Sequence, residues 1–149
     1  MQALPTLNLR EGSVEQKREE IKNYFLDSFN TYESLFSCLK SDEVFYQRPE
    51  KLRHPLIFYF GHTATFFINK LVLSKAINER INPKFESLFA IGVDEMSWDD
   101  LNDENYDWPQ VGEVRQYRNQ VRTLVCDLID TMSFSMPIDW ESPMWPVIM

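Results

Sequence analysis

His62 is the residue best placed to do chemistry. It sits in Tyr59-Phe60-Gly61-His62-Thr63, inside a strongly apolar stretch, with Phe58, Tyr59 and Phe66 within one helical turn on its own face. A neutral imidazole in a dry pocket is a good ligand for iron, zinc or nickel. A hydrogen bond at one ring nitrogen fixes the tautomer and leaves the other lone pair to the ion. The plainer alternative is a core histidine whose nitrogens are satisfied by a hydroxyl or a carbonyl. His54 is the other histidine of the chain. A helical spacing of eight residues separates the two by about 12 Å, too far to share one ion. His54 is expected at the helix entrance, against backbone or solvent. Cys38 and Cys126 fall on different helices, without CxxC spacing or a basic cluster nearby, and read as buried structural thiols.

The run from Asp94 to Glu104 is rich in carboxylates but lacks the glycine and the alternating ligand spacing of an EF-hand loop. It reads as a solvated, helix-capping loop, with Trp98, Tyr106 and Trp108 packing over the helices. No P-loop, GxGxxG, GxSxG or HExxH pattern is present, which removes the familiar nucleotide, hydrolase and zinc-protease readings. These residues do not assemble a three-ligand metal site.

A chain of 149 residues suits one domain, and 44% hydrophobic content with 4 glycines argues against disorder or a turn-dense β sandwich. The net charge of −8 repels phosphate backbones, so nucleic acid is not expected as a partner. Two cysteines suit a reducing cytosol, and no basic stretch followed by an apolar run marks a signal peptide, so a cytoplasmic location is expected. The longest apolar segment, 55–73, carries Gly61, His62, Thr63, Thr65, Asn69 and Lys70. It reads as a buried helix and not a membrane span.

The elements that position His62 follow from spacing. Residues 1–12 form a flexible arm, and the domain occupies 13–149. Ser13 with Gln16 fits a capping box, and Ile21, Tyr24, Phe25, Phe29, Tyr32, Phe36 and Leu39 recur at three and four. A first helix over 14–39 is predicted, with Lys17, Glu20, Asp27 and Glu33 in water. A second, apolar on nearly every side and therefore central, begins near His54-Pro55 and runs to about Asn78, where Asn82-Pro83 breaks the pattern. A connection of about thirty residues is too long for a plain hairpin and crosses the bundle. Val111, Val114, Tyr117, Val121, Val125 and Leu128 define a third long helix, with Arg115, Arg118 and Arg122 outside. Ser142-Pro143 opens a truncated fourth helix.

Several strings together are specific. The stretch from Arg53 to Thr63 (RHPLIFYFGHT), then Phe66 to Leu71, Arg80 to Pro83, Gly92 to Asn102 (GVDEMSWDDLN), Tyr106 to Pro109 and Asp139 to Pro143 closely resembles the N-terminal DinB-like domain of 5-histidylcysteine sulfoxide synthase, the enzyme that begins ovothiol biosynthesis. The resemblance covers essentially everything after residue 14. It implies a non-haem iron oxidoreductase that couples cysteine to histidine with O₂ to give a sulfoxide. In that family three histidines hold Fe(II), one on the second helix, which maps onto His62. The other two lie in an HxxxHxE motif on the fourth helix, expected beyond Met149, and a formylglycine-generating-enzyme-like domain supplies much of the substrate pocket. With one ligand of three, this chain alone is expected to be inactive.

The expected fold is therefore all-α, a DinB-like helical bundle of three long helices, a long crossover and a truncated fourth. His62 is the expected metal ligand, with Tyr59 and Asn69 as neighbours. The expected partners are cysteine, histidine and O₂, with no membrane, and a homodimer formed through the groove left by the missing helix. Two rivals stand beside this reading. A stand-alone DinB-like thiol transferase would need a full metal site within the chain, and a non-catalytic interaction module would bind no metal.

Overall fold

The computed structural model describes residues 6–92 and 106–149, so the acidic run read as a capping loop, with its Trp98, lies outside the described residues. Helices account for the ordered elements, and no strand forms among the described residues. The order is α1 (Val14–Leu35), α2 (Leu56–Leu73), α3 (Pro83–Leu88), α4 (Val111–Thr131) and α5 (Trp145–Ile148), with short 3-10 turns at Phe36–Cys38 and Asp42–Tyr46. The all-α expectation is met. Two compact units are formed, one of Phe36–Val121 and one of Met1–Leu35 with Arg122–Met149, and α4 contributes to each.

In the unit of the two chain ends, Ser13 caps α1 as its side chain predicts: Ser13 Oγ accepts from the Gln16 amide at 3.2 Å. The reciprocal half of the box is absent, because the Gln16 side chain donates instead to Glu20. Ile21, Phe25 and Phe29 bury the apolar face of α1, and Val125 and Ile129 that of α4. The two helices are laced by cations. Arg18 donates to the carbonyls of Ile129 and Met132, two of the acceptors that the end of α4 leaves open, and Lys22 pairs with Asp130. Arg122 pairs with Glu33 and lies over the Phe29 ring at 5.0 Å. Lys17, expected in water, is 3% exposed. Its aliphatic stem is buried while its ammonium meets Glu20. The carbonyl of Leu9 accepts from the Ile138 amide at 2.8 Å. The last helix starts at Trp145 with Pro146 in its first turn, two residues later than Ser142-Pro143 suggests.

The other unit is built around α2, whose Ile57, Phe58, Phe60, Ala64, Ile68 and Leu71 are buried. By length and composition alone α2 could cross a membrane; 44% of it is buried within the protein. Helix α2 is shorter than the apolar pattern suggests. It stops at Leu73 because the chain turns left-handed at Lys75 (φ 60°), with Ala76 N bonded to the Leu71 carbonyl and Lys75 N to that of Val72. This double bond pattern closes a helix, and glycine usually fills the left-handed position. Lys75→Gly should therefore raise stability by about 0.5–1 kcal/mol, read as a higher urea midpoint with an unchanged slope.

Helix α3 falls in the segment left without structure by spacing alone. Asn82-Pro83, read as a break, is also a start: Asn82 Oδ1 accepts from the Phe85 amide at 3.1 Å, and Pro83 takes the first turn.

Candidate metal centre

His62 lies on α2, half-buried, in a stack of rings. Phe58, one turn earlier, is nearly parallel to the imidazole with centroids 5.3 Å apart, and Phe66, one turn later, meets it edge-on at 6.1 Å. Its Nδ1 is 2.7 Å from the carbonyl oxygen of Phe89, the residue that caps the end of α3. A carbonyl can only accept, so Nδ1 carries the proton and donates. In the tautomer fixed this way the lone pair belongs to Nε2, and no described residue forms a hydrogen bond to that atom. A metal-ligating histidine is typically fixed in this way, its second nitrogen tied to a carbonyl or carboxylate.

The position of Phe89 depends on Gly61. A Cβ built on Gly61 would stand 2.5 Å from the Phe89 ring. The glycine thus lets α3 close on α2, and it brings the Phe89 carbonyl within reach of the next side chain, His62. Phe89 is itself fully buried, with Phe85 edge-on at 5.6 Å and Trp108 stacked at 6.0 Å. Tyr106 and Trp108 pack beside each other at 5.3 Å, as their aromatic character suggests.

His54 does not join the site. It is 5% exposed, so of the two expected surroundings it takes backbone and not solvent, with Nε2 3.2 Å from the Ile91 carbonyl. Its ring stacks on Phe58 at 4.0 Å. Phe58 therefore stands between the two imidazoles, which cannot share an ion. Tyr59 turns its ring edge to Phe58 at 5.4 Å, and the Asn69 amide donates to the Glu86 carbonyl at 2.9 Å. Neither bonds His62.

Three placements differ from expectation. Arg118, expected outside, is completely buried. Its guanidinium lies over the Phe60 ring at 4.8 Å and donates to the Phe60 carbonyl at 2.6 Å and to the hydroxyl of Thr63, the residue after His62, at 2.8 Å. A planar, weakly hydrated cation stacked and bonded in this way tolerates burial. Cys38 is exposed and Cys126 only half-buried, so neither is the buried core thiol expected; burial still pushes the Cys126 thiol up. Arg122 is half-buried by its pairing with Glu33.

Two turns along α2, Glu86 of α3 makes a second polar centre. Its side chain is 1% exposed, and Oε1 accepts from the amides of Ile81 (3.0 Å) and Asn82 (2.9 Å) and from the Tyr117 hydroxyl (3.2 Å). Burial, and then the nearby Glu86 charge, push the Tyr117 phenol far up, while Arg80 eases it slightly down. Tyr117 therefore stays a donor throughout the physiological range.

The features define an all-α domain with a helical imidazole whose one ring nitrogen is fixed and whose other is available. No group of three or more His, Cys, Asp or Glu side chains suited to an ion occurs among the described residues. Among the described residues the donor set fits one ligand of a metal site and not a complete one. Residues 24–146 match the model of the DinB superfamily, and the chain belongs to that superfamily, whose members are metal-dependent. A comparison with curated proteins finds no match.

Proposed function

We propose that this chain is the DinB-like domain of a 5-histidylcysteine sulfoxide synthase, with His62 as one of the histidines that hold Fe(II). The observation that carries the reading is the His62 geometry, Nδ1 held by Phe89 and Nε2 without a protein partner among the described residues. The strings from Arg53 to Thr63 and from Gly92 to Asn102 narrow the superfamily to this enzyme type by resemblance. An iron held by neutral imidazoles with open positions would bring thiolate and O₂ to one centre. What the chain itself does is orient. The Phe89 carbonyl sets the tautomer, Phe58 and Phe66 hold the ring plane, and the aromatic wall of Phe89 and Trp108 keeps water from that side of α2.

The test is iron-dependent O₂ uptake with cysteine and histidine by the complete gene product. His62→Ala should reduce turnover by at least about a hundredfold, since one protein ligand of three is lost. Unchanged turnover in that variant would remove His62 from the mechanism. A complete protein without an HxxxHxE motif on its C-terminal side would favour the thiol-transferase or interaction-module readings.

A further inference from the structure

We propose that the recess between Asn69 of α2 and Glu86 of α3 binds a small zwitterion, with its ammonium inward on these two side chains and its anionic end outward on Arg80. The cavity, about 240 Å³ in volume, is lined by Asn69, Lys70, Arg80, Glu86 and Ala90 among others. Glu86 Oε1 is fully engaged, but Oε2 is buried and has no hydrogen-bond partner. Asn69 is in the same condition: its Nδ2 donates to the Glu86 carbonyl, while its buried Oδ1 has no partner. Leaving buried acceptors unfilled is expensive, the more so for an anionic one.

The nearby donors do not fill them. The Lys70 ammonium stands over the Phe66 ring at 5.0 Å. Arg80 is exposed, and among the described residues its guanidinium makes no hydrogen bond or ion pair, although its charge reaches Tyr117 beside Glu86. This pattern selects a ligand by elimination. An apolar molecule would leave both oxygens bare, an anion would meet the Glu86 carboxylate, and a simple cation would meet Arg80. A primary ammonium offers three N–H donors, enough for both oxygens, and an anionic group on the same molecule answers the guanidinium. The recess has room for a small α-amino acid. The site uses neither His62 nor a metal, since Asn69 lies about 10 Å further along α2.

The probe is L-alanine, titrated into the full chain and followed by amide NMR, with ethylamine and propionate as half-ligands. L-Alanine at millimolar concentration should shift the Ile81 and Asn82 amides and the Asn69 side-chain amide, and both half-ligands should bind more weakly. Glu86→Gln keeps an acceptor for the three Oε1 donors but puts an NH₂ where Oε2 stood. It should weaken binding by about tenfold or more. Arg80→Ala, at an exposed position, should weaken L-alanine several-fold and leave ethylamine unaffected. Absence of those shifts, L-alanine binding unchanged in either variant, or ethylamine binding as tightly as L-alanine would overturn the proposal.

Discussion

Gly61→Ala should lower stability by about 1–3 kcal/mol, read as a fall in the urea midpoint, and should free the His62 ring from its carbonyl. Alanine is the better helix former by about 1 kcal/mol, so propensity alone predicts the opposite sign. Packing decides. The new methyl would stand 2.5 Å from three atoms of the Phe89 ring. That ring is not the far end of a flexible chain; it is fully buried against Phe85 and Trp108. Either Phe89 moves and α3 moves with it, or α2 bends. In both cases the 2.7 Å bond from His62 Nδ1 lengthens. ¹⁵N shifts of the imidazole should then change from one dominant tautomer to a mixture. A variant as stable as its parent, with an unchanged tautomer, would contradict this packing.

Glu86→Ala should cost more, on the order of 3–5 kcal/mol, because it strips the acceptor from three donors at once. The Ile81 and Asn82 amides lead into α3, and the Tyr117 hydroxyl comes from α4 within the same unit. Glu86→Gln retains that acceptor and should lose far less, so the pair of variants separates the hydrogen bonds from the charge. The same centre sets an alkaline limit. The Tyr117 phenol is raised well above its ordinary value by burial and by Glu86. A raised phenol holds its proton in the folded state where the unfolded chain has already lost it. Its contribution is thus intact below about pH 10 and falls as pH rises beyond that. Tyr117→Phe should flatten this fall, measured as urea midpoint against pH.

The long helices were legible because their apolar residues recur at three and four, and burial of Ile21, Phe25 and Phe29 on α1 and of Val114, Tyr117, Val121 and Val125 on α4 follows that spacing. Ends were less legible. Helix α2 stops at a left-handed lysine, where no glycine marks the turn. Helix α3, six residues long, is too short to show a period, and it is set by Asn82 and by the Glu86 carboxylate instead. Arg118 stands four residues after Val114 and three before Val121, so a helical wheel places it on the buried face, and only its charge suggests water. The Phe60 ring and carbonyl and the Thr63 hydroxyl, contributed by another helix, let the guanidinium be buried there. His62 itself was visible as a residue type in an apolar setting. The group that fixes its tautomer was not, because it is a main-chain carbonyl and every residue has one. The one available signal was Gly61, a glycine in mid-helix next to the histidine.

The bond between His62 and Phe89 joins a candidate ligand on α2 to the carboxyl end of α3. Local opening of α3 breaks that bond and releases the tautomer, so the two events are thermodynamically linked. Whatever grips Nε2 in that tautomer should also slow the fraying of α3, and amide hydrogen exchange at Phe85 and Phe89, each bonded within or at the end of that helix, would register occupancy of a nitrogen on α2.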